Sequence, residues 1–282
     1  MSRDILIPLE DEELNNTRFY RHNIYEHLFD GKVGAPVRKK LQNGAKVLEF
    51  CCESGVWTTE VAAEYPNSEF YAVSSVQPES INKFNNITFI ECDIFKRLPF
   101  PDNEFDYVFS KDKFLYMEKN KFQEVLLEIF RVLKPGSWLE VIYSCTTDLV
   151  YGPSYKRLSD AMDSWYKVQN IDLEIIHNFE NYLKKSGKTE DILCRTIDTQ
   201  LKGGYAFGEF IIEILLFFYR SSRGYLAPFM NISFEEFDNL VNDAESELNS
   251  EDNKTTLRHI QVLARKKYTI LDRILCTISC IN

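Results

Sequence analysis

Residues 46–58 constrain the fold of this chain more than any other stretch. Residues 47–50 form a short, mostly apolar run with β-branched and aromatic character, which is typical of a buried parallel strand. A turn of small residues ending at Gly55 follows, and a helix is predicted to begin near Thr58. A strand, a tight turn and a helix together bring backbone N–H groups and a helix N-terminus up to a ligand. The stretch therefore predicts an α/β fold with a ligand site at this turn.

The composition excludes several classes of protein. A length of 282 residues with 44% apolar and 27% charged residues is ordinary for a globular protein of one large or two small domains. A net charge of −10 argues against nucleic acid as the main partner, and no apolar run reaches the length of a membrane span. The seven cysteines form neither a disulfide framework nor a zinc pattern, and the charged N-terminus is not that of a signal peptide. A cytoplasmic or nuclear location is predicted.

Strand-like and helix-like segments alternate over residues 46–143, as in a doubly wound parallel sheet. The predicted strands are 47–50, 69–73, 87–91, 105–110 and 138–143. Residues 117–133 carry apolar side chains at helical intervals, and Lys134-Pro135-Gly136 is predicted to end that helix.

Three pieces of this region resemble class I S-adenosylmethionine (SAM) dependent methyltransferases. They are Val47-Leu48-Glu49 with the turn ending at Gly55, residues 98–108 (LPFPDNEFDYV) and residues 131–136 (RVLKPG). The leader before them, with Arg18, His22 and residues 30–36, resembles fungal methyltransferases of secondary metabolism. The resemblance implies a mostly parallel, Rossmann-like seven-stranded sheet in order 3-2-1-4-5 with a terminal antiparallel pair. It also implies a helical lid and SAM as the cofactor.

The resemblance places the cofactor at the carboxyl ends of the strands. Glu49 matches the acid that helps to hold the methionine end of SAM, although it is also suited to cap the nearby turn. Asp93 matches the acid that contacts the adenine amino group, and Ile94 would lie on the adenine ring. Ser110 and Lys111 match the loop under the sulfonium and the acceptor, with a surface lysine as the alternative for Lys111.

The first motif of this chain is degenerate. Cys51 and Glu53 occupy the family's first two glycine positions, and only Gly55 remains. Cys51 is predicted to narrow the cofactor cleft. Glu53 adds a carboxylate that should face the one on SAM, and like charges about 4 Å apart repel by about 4 kcal/mol at an effective dielectric of about 20. It could instead turn to water or approach the ammonium or sulfonium.

Ser74 is the second departure from the family pattern. It stands where the family has an acid that grips both ribose hydroxyls. A serine replaces one hydrogen bond but not a charged clamp, and the lost charge-assisted bond is worth roughly 1.5–3 kcal/mol.

The rest of the chain is assigned around this core. Residues 1–45 are predicted as a leader, loose to 17 and helical over 18–29. His22 is predicted to be a structural histidine on this helix, with contact to a substrate as the alternative. Residues 144–256 are predicted as a lid, and residues 257–267 as the terminal strand; 268–282 are unassigned. The lid segments are helices 155–168, 175–185 and 208–220, a sixth strand at 191–199, and a helix to 248 after the capping box of Ser233 and Glu236. Helix 208–220 is apolar on nearly all sides, which suits the core or lid, or else a homodimer or heteromer interface.

Two functions fit these residues. The first is a SAM-dependent methyltransferase acting on a small molecule, in which the protein mainly supplies proximity and orientation. No catalytic residue and no metal ligand is predicted. The alternative is a methyltransferase fold with impaired catalysis that serves as a binding or regulatory partner. Cys51, Glu53 and Ser74 together favour this alternative more than any one of them alone.

Overall fold

The computed structural model describes residues 12–52, 54–75, 84–112, 116–146, 152–202 and 207–269. They fall into two compact units, each assembled from separate stretches of chain. The first unit comprises residues up to 28 together with 144–173 and 196–259. The second comprises 29–143, 174–195 and the residues from 260 onward. The predicted core of residues 46–143 lies wholly in the second unit, whereas the segments of the predicted lid are shared between the two.

Seven strands form a mostly parallel sheet. They are β1 (Lys46–Phe50), β2 (Glu69–Ser74), β3 (Ile87–Glu91), β4 (Phe105–Lys111), β5 (Leu133–Thr146), β6 (Thr189–Gln200) and β7 (Thr256–Lys266). Their order across the sheet is β3-β2-β1-β4-β5-β7-β6. The pairs β1–β2, β2–β3, β1–β4 and β4–β5 are parallel. The predicted fold class and the order of the first five strands are confirmed, and β1 lies inside the sheet between β2 and β4.

The central strands are buried because both of their faces are covered. Every residue of β4 is buried, and so are the last four residues of β1. Asp106, the second residue of β4, is a buried acid. It forms ion pairs with Lys40 (2.7 Å) and Lys134 (2.8 Å) and accepts the backbone N–H of Lys46 at 2.9 Å. Strands buried on both faces are typical of parallel sheets with helical crossovers.

Nine helices are described. They are α1 (Glu12–Leu28), α2 (Arg38–Asn43), α3 (Val56–Glu64), α4 (Lys119–Val132), α5 (Pro153–Val168), α6 (Leu173–His177), α7 (Phe179–Ser186), α8 (Gly208–Phe229) and α9 (Phe234–Leu248). The predicted capping box of α9 is confirmed, since Ser233 and Glu236 each accept the other's backbone N–H. Among the residues described, no helix is both long enough and apolar enough to cross a membrane.

Two predicted boundaries in and before the core were wrong. Helix α1 begins at Glu12, so residues 12–17 are helical rather than loose. Strand β5 begins at Leu133, directly after α4, and not at residue 138. The Lys-Pro-Gly sequence lies inside a bulge of this strand: β4 advances two residues, from Phe105 to Tyr107, while β5 advances five. Gly136, with a φ of +74°, supplies the left-handed backbone at this bulge.

The helices after β5 also differ from the prediction. The segment predicted as one helix over 175–185 is two helices, α6 and α7, separated at Asn178. Helix α8 continues nine residues beyond residue 220, because Ser222 and Leu226 extend its buried face. The helix is not buried on all sides, since the ring of Phe210 is 43% exposed. Its proposed role as an assembly interface remains a prediction.

Candidate functional site

The carboxyl ends of four parallel strands define the candidate site. Strands β1, β2, β3 and β4 end at Phe50, Ser74, Glu91 and Lys111, and their register places these ends at one edge of the sheet. Open α/β sheets bind ligands at this edge. The sequence-predicted residues that the structure describes all lie within five positions of a strand end. Glu53 lies outside the described residues.

The turn after β1 keeps a glycine-like backbone at both ends. Cys51 has a φ of +60° and Gly55 a φ of +70°, both in the left-handed region. A residue with a Cβ is strained there by about 1–2 kcal/mol. Cys51 therefore adopts a conformation suited to glycine although its side chain is buried. Between them, Cys52 donates its backbone N–H to the carbonyl of Val73 at 3.0 Å, which continues the pairing with β2.

Glu49 caps the helix that follows this turn. Its buried carboxylate accepts the backbone N–H of Thr58 at 3.2 Å and also accepts the Thr58 hydroxyl. Thr58 is the third residue of α3, and Gly55, at the N-cap position, has no side chain to offer. A carboxylate at a helix N-terminus is stabilised by the helix dipole and by charge-assisted bonds. The capping alternative for Glu49 is thus confirmed, and its contact with SAM remains a prediction.

Ser74 and Asp93 lie on neighbouring strand ends. The carbonyl of Ser74 accepts the N–H of Cys92 at 3.0 Å, which brings the loop containing Asp93 beside the end of β2. The half-exposed Asp93 carboxylate accepts the N–H of Phe95 at 3.0 Å and pairs with Lys96 at 3.3 Å. The Phe95 N–H, followed by Lys96, lowers the pKa of Asp93. Asp93 is thus ionised in a turn that it stabilises itself.

Ser110 and Lys111 are both buried at the end of β4. The Ser110 hydroxyl donates to the carbonyl of Phe50 at 3.0 Å and so links β4 to β1. Lys111 is only 4% exposed, so the surface-lysine alternative was wrong. Ile94 is half-buried. The predicted contacts of these residues with the sulfonium, the acceptor and the adenine ring remain predictions.

Sequence reasoning missed a row of residues on one face of the sheet. Glu49 pairs in register with Phe109, and Phe109 pairs with Glu140 on β5. Side chains of register partners share a face, so two buried carboxylates flank one aromatic ring. The indole of Trp57, in the first turn of α3, stacks on Phe109 with ring centroids 4.0 Å apart and planes 9° apart.

Glu140 is the charged member of this row that the sequence analysis overlooked. Its burial raises the pKa of its carboxyl group, while hydrogen bonds from Tyr107, Ala35, Gln261 and Gly34 favour the ionised form. The signal in the sequence was a lone acid in the otherwise apolar and aromatic run Trp138-Leu139-Glu140-Val141-Ile142-Tyr143.

Comparison with known proteins agrees with this geometry. Residues 47–136 match the family model described as a methyltransferase domain. Over this stretch, which includes most of the predicted core, the resemblance to methyltransferases found in the sequence is confirmed.

Two relatives show the range of that similarity. A demethylmenaquinone methyltransferase of Anoxybacillus flavithermus is 34% identical over 108 residues, which cover 35% of this chain and 44% of the relative. The N-methyltransferase verN of Clonostachys rogersoniana is 25% identical over 141 residues, covering 48% of this chain and 49% of the relative. The chain thus spans about half the length of the curated relatives it matches.

Solved structures share the fold. Phosphoethanolamine N-methyltransferase 2 of Haemonchus contortus, in complex with phosphomonomethylethanolamine and S-adenosylhomocysteine (SAH), is 20% identical with a TM-score of 0.51. The match covers 93% of this chain and 61% of that one. A second structure of the same enzyme, in complex with SAM, has a TM-score of 0.50 at 20% identity over 89% of this chain and 57% of that one. At 20% identity these likenesses show the fold of the chain.

Proposed function

We propose that the protein is a SAM-dependent methyltransferase acting on a small molecule. The observation that carries this proposal is the backbone of the turn after β1. Cys51 and Gly55 both have positive φ, so the turn keeps a glycine-like backbone at both ends in front of α3, although Cys51 stands where the family has a glycine. Such a turn and the N-terminus of a helix suit an anionic group. The residues present therefore fit the cofactor.

The residues at the strand ends have distinct roles in this proposal. Gly55 and the first turn of α3 would receive the carboxylate of the cofactor, and the Ser74 hydroxyl would bind a ribose hydroxyl. The ionised Asp93 carboxylate has two oxygens, so it can keep the Phe95 N–H and still accept the adenine amino group. When bound, SAM would supply a methyl group on a positively charged sulfur, which an acceptor nucleophile attacks in line so that SAH leaves. The chain contributes binding and orientation to this step.

A small-molecule acceptor is supported by charge and by the relatives. The net charge of −10 disfavours binding to phosphate backbones. The names of the matched proteins refer to demethylmenaquinone and phosphoethanolamine, both of which are small molecules. A cytoplasmic location is part of the same proposal, and it is supported by free thiols at the five described cysteines: Cys51, Cys52, Cys92, Cys145 and Cys194.

The test is methyl transfer from SAM labelled in its methyl group. The purified protein is incubated with labelled SAM and with a cell extract separated into small molecules, proteins and RNA. We expect label in the small-molecule fraction, and less of it with Asp93→Ala, which removes the proposed adenine contact. Label in the protein or RNA fraction would overturn the proposed acceptor class. Tight binding of SAH without transfer to any fraction would favour the impaired, partner-binding alternative.

A further inference from the structure

Glu140 lies fully buried in the middle of β5. It shares a sheet face with Glu49 through the register partner of both, Phe109. An ionised carboxylate in such a place is costly unless hydrogen bonds replace its hydration. The groups that supply these bonds therefore show what Glu140 holds in place.

Four groups donate to the Glu140 carboxylate. The hydroxyl of Tyr107 is 2.7 Å from Oε2, and the side-chain amide of Gln261 is 2.8 Å from Oε1. The backbone N–H of Ala35 is 2.9 Å from Oε2, and that of Gly34 lies 3.0 Å from the same oxygen. Two of the four donors thus belong to the chain that precedes the first strand.

Residues 31–37, which we call the strap, are fixed at a second point. The indole Nε1 of Trp57 donates to the carbonyl of Lys32 at 2.8 Å, and the Lys32 ammonium lies 3.3 Å from Glu60 of the same helix. Between these points the strap packs tightly, since a Cβ on Gly34 would lie 2.3 Å from the Gln261 amide nitrogen. The strap therefore runs from the first turn of α3 to β5, across the face that carries Phe109 and Glu49.

We propose that Glu140 is a positioning residue for the cofactor: by holding the strap against this sheet face, it keeps the first turn of α3 and the Glu49 end of the site in their binding geometry. This inference rests on the proposed function. Glu140 binds Gly34 and Ala35 of the strap directly. The strap in turn accepts the Trp57 indole at the carbonyl of Lys32, and Trp57 lies in the first turn of α3, directly after the turn that follows β1. If the cofactor binds only when the strap is held against the sheet, its apparent affinity falls in proportion to the fraction of molecules in that state. By reciprocity, the bound cofactor must also stabilise the strap in that position.

The test combines hydrogen exchange of the strap with SAH affinity, both measured on the full chain. In the parent we expect SAH to slow exchange of the Gly34 and Ala35 amides. Glu140→Gln removes the charge that holds these amides. We expect it to speed their exchange and to weaken SAH binding about tenfold, the scale of one charge-assisted hydrogen bond.

Two further variants keep the test sound. Asp106→Asn is the matched control, because Asp106 is a buried acid of the same sheet that holds Lys40, Lys46 and Lys134 instead of the strap. It should lower stability without changing strap exchange or SAH affinity. Gly34→Ala sets a Cβ against the Gln261 amide, so either that amide or the strap must shift while the carboxylate is kept. Hydrogen exchange of the strap shows which of the two moves, and a variant with faster strap exchange tests the proposal if Glu140→Gln fails to fold. It should weaken SAH binding in the same direction.

The outcomes separate the two levels of inference. If the parent binds SAH and a folded Glu140→Gln variant binds it equally well, Glu140 is only a structural anchor and this inference is wrong. The same holds if a Gly34→Ala variant with faster strap exchange binds SAH as tightly as the parent. If Asp106→Asn weakens binding as much as Glu140→Gln, the effect is one of general stability and the inference is again wrong. If the folded parent does not bind SAH, the proposed function itself fails, and the inference fails with it.

Discussion

Replacing Cys51 and Cys52 by glycine, one at a time, tests whether the turn after β1 stores backbone strain. The two residues are adjacent, and both are buried free thiols. They differ in backbone conformation: Cys51 has a φ of +60°, whereas Cys52 is not among the described residues with positive φ. Any cost common to the two substitutions therefore cancels in their difference.

The magnitudes follow from three contributions. Each substitution loses the buried side chain, about 1 kcal/mol, and gives the unfolded chain more freedom, about 0.5–1 kcal/mol. Only Cys51→Gly relieves the left-handed strain, about 1–2 kcal/mol. We expect Cys51→Gly to leave the free energy of unfolding within about 1 kcal/mol of the parent. Cys52→Gly should lower it by about 2 kcal/mol.

Urea unfolding followed by circular dichroism measures both free energies, with Cys51→Ala as the control that shortens the side chain and keeps the strain. The m-value should be unchanged, so that a shift in midpoint reports stability. Equal destabilisation by Cys51→Gly and Cys52→Gly would show that the turn is unstrained. The glycine-like geometry assigned to it would then be wrong.

Three further predictions concern other parts of the chain. Burial lowers the pKa of His259 from 6.5 to about 4, so the folded state favours the neutral ring. About 3 kcal/mol of stability that is present above pH 6.5 should therefore be lost as the pH falls to 4. Urea titrations should show this loss in the parent and not in His259→Gln. Ser233→Ala should lower stability by about 1 kcal/mol because it removes the cap of α9, whereas Ser246→Ala on the same helix should be nearly neutral in thermal melts. Glu53→Gly combined with Ser74→Asp should tighten SAM binding by about 2 kcal/mol, some thirtyfold in Kd, because it removes a like charge and rebuilds the ribose clamp. If calorimetry finds no gain in affinity, these two residues are not what weakens SAM binding.

The first five strands could be located because each leaves a mostly apolar run between turn signals, and their order followed from the resemblance to the family. Strand β5 shows the limit of that reasoning. Lys134-Pro135-Gly136 is a strong helix stop, and it correctly ended α4, yet the strand begins before it. A bulge places these residues inside the strand, and a bulge depends on pairing with β4, which local sequence does not record.

The candidate site likewise contains residues that the sequence predicted and residues that it did not. The positions of Ser74, Asp93 and Ser110 at the strand ends followed from the strand pattern. The contact between Glu49 and Thr58 was foreseen as an alternative, because an acid near a helix start is a common cap. Glu140 could not be placed, because its donors on the strap and on β7 are distant in sequence. Burial of Lys111 likewise depends on packing that the sequence does not encode locally.

Calorimetric titration of the purified protein with SAH tests the central claim most directly, namely that the turn after β1 is a working cofactor site. We expect binding at a single site, with a Kd in the range of about 1 μM to 1 mM that is usual for enzyme ligands. We also expect Asp93→Ala to weaken it. The absence of binding heat, with the protein shown to be folded by circular dichroism and with SAH giving no protection of the strap amides, would contradict the claim.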